Sequence, residues 1–113
     1  MRTGALKERR SKAPWWAAMR AWAGRTAARR DAAAIAAASR RLAVETRRLP
    51  GVRTARARVA GTAFRPRVTM TVGCAEEADL AELYTAIEKG PAAHCRALTN
   101  KPDLPIIIRF EHI

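Results

Sequence analysis

At 113 residues the chain is long enough for one ordinary domain and too short for two self-sufficient cores, and much of its 49% hydrophobic fraction is alanine, so each large aliphatic side chain carries an outsized share of stability. Its formal charge of +12 is uneven, with 13 Lys/Arg against 3 acids in residues 1 to 50 and 9 against 7 in residues 51 to 113, which points the front half toward nucleic acid, anionic lipid headgroups or an acidic protein. No run reaches the roughly 20 apolar residues of a spanning helix, and residues 1 to 12 lead into no signal-type apolar stretch, so a cytoplasmic location is expected.

Residues 1 to 13 are polar and cationic without an apolar period, which predicts disorder, or order only on a partner. Pro14 suits a helix's first turn, and on such a helix Trp15, Met19 and Trp22 recur at i, i+4 and i+7 as a short apolar stripe, with Arg20, Arg25 and Arg29 elsewhere on the wheel. Gly24 is expected to weaken or end this segment. Asp31 is then a good N-cap for an alanine-rich helix in which Ile35, Ala38, Leu42 and Leu49 recur at spacings of 3, 4 and 7. Pro50 and Gly51 stop it, and Arg40, Arg41, Arg47 and Arg48 suit the negative end of its dipole. This divides the chain into a basic, tryptophan-bearing arm, residues 1 to 30, and a domain, residues 31 to 113.

From Val52 the period changes to two. Ala55, Ala57 and Val59 alternate with Thr54, Arg56 and Arg58, and after a turn Val68, Met70 and Val72 alternate with Arg67, Thr69 and Thr71, which predicts an antiparallel hairpin with one apolar face. Asp79 and Glu82 open a helix that carries Leu80, Leu83, Tyr84 and Ile87 and is interrupted at Gly90 and Pro91. A short helical continuation and a loop lead to a closing strand with Ile106, Ile108 and Phe110 on one face. The fold class is therefore α+β: a single small α-β-β-α-β domain, its three-stranded sheet carrying two helices on one face in a KH/BON-like topology.

The inventory for catalysis is poor. The histidines are His94 and His112, and Cys95 beside His94 projects about 100° away from it on a helix. Cys74 and Cys95 lie in different elements without metal-ligand spacing, and no glycine loop of the Walker or dinucleotide type is present. A non-enzymatic chain with no metal, cofactor or small-molecule substrate is expected. The arginine and threonine face, with Arg56, Arg58, Arg67 and Arg109, is a candidate anion or nucleic-acid contact, although it lacks the exposed aromatics of base-stacking sheets and the glycine-x-x-glycine clamp of KH domains. Trp15, Trp16, Met19, Arg20, Trp22 and Arg25 are candidates for membrane-surface or partner binding, because indole rings settle at the headgroup level and arginines meet anionic lipids.

Residues 31 to 113 resemble the alkaline-shock-protein family of bacterial envelope stress proteins, particularly the C-terminal domain of its actinobacterial membrane-anchor members. The resemblance rests on RRLPGVRTARARV, PRVTMTV, DLAELYTAIEKGP and DLPIIIRFEHI. It implies a non-enzymatic scaffold or interaction domain that associates with itself or its relatives at the cytoplasmic membrane face. Anchor members carry spanning helices before the domain, a place taken here by KERRSKAPWWAAMRAW. Peripheral attachment through the tryptophan segment is the expectation, and a nucleic-acid-binding protein using the arm and sheet arginines is the alternative.

Overall fold

The computed structural model describes residues 14 to 113, so the expectation for residues 1 to 13 lies outside the described residues. Helix α1 (Trp15–Arg47) runs unbroken for 33 residues, about 50 Å. It passes through both Gly24 and Asp31, where the sequence reading placed an ending and a new N-cap, and so crosses the boundary drawn at residue 30. A glycine in a helix interior costs about 1 kcal/mol. Stopping there would orphan backbone groups and require a second helix nucleus, and the alanines on either side make continuation the cheaper course. Asp31 caps nothing; its carboxylate lies 3.4 Å from the Lys101 Nζ. At the true start, the amides of Ala17 and Ala18 donate to the Pro14 carbonyl at 2.9 and 3.3 Å.

Burial begins only halfway along this helix. Ile35, Ala38, Ser39, Leu42, Ala43 and Thr46 are buried, and nothing before Ile35 is. The helix ends at Arg47, and Gly51, at φ +88°, turns the chain into the sheet, a conformation that side chains with a Cβ rarely adopt. Strands β1 (Val52–Gly61) and β2 (Pro66–Cys74) pair antiparallel, with Ala55 opposite Val72, Ala57 opposite Met70 and Val59 opposite Val68. Gly61 closes the hairpin at φ +83°, where a Cβ would stand 2.3 Å from the Arg65 carbonyl oxygen.

Asp79 caps helix α2 (Leu80–Ile87), its Oδ1 accepting from the amides of Ala81 and Glu82 at 3.1 and 3.2 Å. Gly90 and Pro91 do not interrupt the helical path as expected. A π-helical turn, Glu88–Ala92, takes up the proline, which has no amide hydrogen to donate, and α3 (Ala93–Thr99) follows directly. Asn100, left-handed at φ 54°, ends it. Strand β3 (Ile106–His112) then runs parallel to β2, giving the order β1-β2-β3 with Val68 beside Ile106 and Val72 beside Phe110.

One core joins the second half of α1, the α2–α3 segment and the inner face of the sheet. Ile35, Leu42, Val68, Met70, Val72, Ile87 and Cys95 are almost fully enclosed, with Ile108 and Phe110 packed at the margin. Phe64, at the hairpin tip, is 92% exposed and contributes nothing to it. Thr46 is fully buried and its hydroxyl has no hydrogen-bond partner among the described residues. Thr46→Val keeps the shape and the β-branched backbone preference while removing the unsatisfied oxygen. It is expected to stabilise the protein by about 1 kcal/mol, read as a higher urea midpoint at unchanged slope.

Candidate functional site

The helix places the tryptophans away from the domain. At about 100° per residue, Trp15, Met19 and Trp22 share one side of α1, and the buried Ile35, Leu42 and Thr46 lie on the roughly opposite side. Trp15, Trp16, Met19 and Trp22 are exposed at 77, 50, 55 and 58%, so the arm does not pack its rings on its own domain. Trp16 stands beside this stripe, with the Arg20 guanidinium 5.0 Å from its ring centroid. Such a contact holds charge and indole in one place.

Continued along the helix, the tryptophan side becomes cationic. The same arithmetic puts Arg25, Arg29, Arg40 and Arg47 on or beside it, whereas Asp31 and Glu45, the acids of α1, fall elsewhere on the wheel. Sequence reading had assigned Arg40 and Arg47 to the helix dipole. The structure also brings them to an open cleft of about 660 Å³ at the outer edge of β1, lined by Arg40, Val44 and Arg47 of α1, Arg56 and Arg58 of β1, and Thr69 and Thr71 of β2. No salt bridge among the described residues engages these four arginines. The signal for the pairing is long-range, since helix and strand meet only once the turn at Gly51 is made.

The other predicted contacts are partly gathered. Arg56 and Arg58 flank Thr71 and Thr69 on the uncovered face of the sheet, and Arg109 stands beside Thr71 on the other flank. Arg67 is beside Ala60 near the hairpin end, outside the cleft. All four are exposed.

Between α1 and α3, His94 Nδ1 lies 2.7 Å from Glu45 Oε2, and Arg41 Nε donates to the same oxygen at 3.0 Å. Burial pushes the Glu45 carboxyl up, but the hydrogen bonds and charges of Arg41 and His94 together outweigh it and hold the group below its ordinary value. A carboxyl depressed in the folded state contributes stability above its unfolded pKa and loses it as pH falls through the folded one. Glu45→Gln is therefore expected to cost about 0.5 kcal/mol near neutrality. That difference should vanish in acid, below the depressed Glu45 value, in thermal melts over a pH series. Cys74 and Cys95 are both buried free thiols, and burial pushes the Cys95 thiol up, away from the reactive thiolate.

Among the described residues no group of three or more His, Cys, Asp or Glu is arranged to hold a metal ion, and no helix is long and apolar enough to cross a membrane. What fold and surface define is a small α+β module bearing a long, outward-facing tryptophan and arginine helix. No family model and no curated protein matches the chain. Among solved structures, MamM CTD in its copper form is 18% identical at a TM-score of 0.47, over 68% of this chain and 84% of that one. A MamM CTD variant in its nickel form is 18% identical at 0.49, over 68% and 96%.

Proposed function

We propose that this protein is a non-catalytic interaction domain working at an anionic membrane surface, with the outward side of α1 as its attachment face. The observation that carries the reading is the exposure of all three tryptophans, Trp15 and Trp22 on the side of α1 turned away from the core with Trp16 beside it, that side continuing along the helix with arginines and no acid. Indole rings and an arginine-rich flank suit the headgroup level of a bilayer, where each arginine contributes about 1 kcal/mol against anionic lipid. One helix lying in the interface attaches reversibly. The role is of the envelope-stress scaffold type, at the inner face of the cell membrane, as the alkaline-shock resemblance implies. Contacts with a second copy or a relative form at the β3 edge of the sheet, since an edge strand presents unpaired backbone groups.

The test is binding of the whole chain to anionic and neutral vesicles, beside duplex DNA and single-stranded RNA, each over a salt series. Attachment to anionic vesicles with little affinity for neutral ones supports the reading. Tight, salt-steep binding to nucleic acid with indifference to vesicles overturns it in favour of phosphate contacts by Arg56, Arg58, Arg67 and Arg109.

A further inference from the structure

The cleft at the edge of β1 is more than a continuation of the basic surface. Its cations come from two elements, Arg40 and Arg47 on the helix and Arg56 and Arg58 on the strand, and Thr69 and Thr71 add hydroxyl donors to its lining. No carboxylate among the described residues lines it. Elsewhere three arginines meet carboxylates or carbonyls, Arg41 with Glu45, Arg96 with Glu88 and the Leu104 carbonyl, and Arg53 with the Ile113 carbonyl, and the others are single exposed cations; what sets the cleft apart is that four come together in it. Guanidinium groups gathered in one cleft without such partners match phosphate oxygens, which accept the fork of two N–H groups that each presents. Two pairs of guanidinium groups on separate elements suit two phosphates held a short distance apart better than one.

The placement of the cleft selects the source. Its helical wall lies on the same side of α1 as Trp15 and Trp22, so a helix resting tryptophan side down on a bilayer brings the mouth of the cleft to the headgroups. We propose that this cleft binds the paired phosphates of a two-phosphate lipid headgroup, giving the domain a preference among anionic lipids that charge alone does not supply. This rests on the membrane reading, but it makes a separate claim: the tryptophans and the arginine helix attach, and the cleft chooses.

The probes are phosphatidylcholine vesicles doped either with phosphatidylglycerol, which has one phosphate, or with half as many molecules of cardiolipin, which has two, so that the total anionic charge is the same. The wild-type chain is expected to bind the cardiolipin vesicles several-fold more tightly. Arg47→Gln with Arg56→Gln, one change from each wall, should abolish that preference. A charge-matched control, Arg65→Gln with Lys89→Gln, removes two exposed cations that do not line the cleft and should keep it. Glutamine retains good helix propensity at Arg47, and thermal melts confirm that each variant is folded. Equal wild-type binding to the two vesicle types, or equal loss of preference in the control, overturns the cleft proposal and leaves membrane attachment standing. Inorganic pyrophosphate bound by the cleft, with neither vesicle type bound, overturns the lipid source and the membrane reading together.

Discussion

Replacing Trp15, Trp16 and Trp22 together with alanine is expected to lower affinity for anionic vesicles by about a hundredfold and leave the thermal melt almost unchanged. None of the three rings touches the buried core, and alanine is the better helix former, so the folded state has little to lose. The membrane-bound state loses much more. An indole that only part-enters the interface gives up about 1 kcal/mol of the 1.5 to 3 available for full burial of a large apolar side chain, and three such losses make a factor of roughly a hundred. The arginines remain, so the slope of affinity against salt should be retained and the curve displaced. A variant with undiminished vesicle affinity would show that charge alone attaches the protein, and one with a flattened salt slope would show that the rings had been positioning the arginines.

The domain was legible in the sequence because its signals are local. Alternation in β1 and β2, the carboxylate cap at Asp79 and the β-branched run of β3 each announce an element, and most of the apolar set they predict is found inside, Val59 and Tyr84 being exposed. Gly24 and Asp31 misled for one reason: each is a genuine boundary residue whose preference is worth about 1 kcal/mol, less than the cost of breaking a continuous alanine-rich helix. The π turn at Pro91 followed the same logic, since shifting the hydrogen bonds by one residue costs less than ending the helix. The tryptophan stripe was readable from its spacing. Its relation to the core was not, because whether Trp15 faces toward or away from Leu42 depends on the helix between them being unbroken. The cleft was hidden for a further reason, its two walls being joined only by the turn at Gly51 and by strand register.

That dependence on a single helix separates the two functions physically. The first half of α1 stands free of the domain and carries the rings, whereas the cleft exists only while the second half is seated on the sheet. Attachment and lipid preference should therefore respond differently to loss of packing.

Leu42→Ala makes this testable and is expected to be the most damaging single substitution considered. Leu42 is 1% exposed on the helix face that packs on the sheet, within the cluster of Val68, Met70, Val72 and Ile87. Removing three buried carbons there costs about 2 to 5 kcal/mol, more toward the upper end if the cavity cannot close. Domains of this size have about 5 kcal/mol or little more in total, and here alanine supplies many of the core positions, leaving few large side chains to lean into a void. A fall in urea midpoint of a third or more at unchanged slope is expected, against a small change for Val44→Ala on the exposed side of the same helix. Near its melting point Leu42→Ala should keep most of its affinity for anionic vesicles, because an amphipathic segment folds on a bilayer without help from the sheet. Its preference for cardiolipin should go, since Arg47 and Arg56 line one cleft only while the helix is packed on the sheet. Loss of vesicle affinity in step with unfolding would instead show that the arm needs the domain to hold its helix.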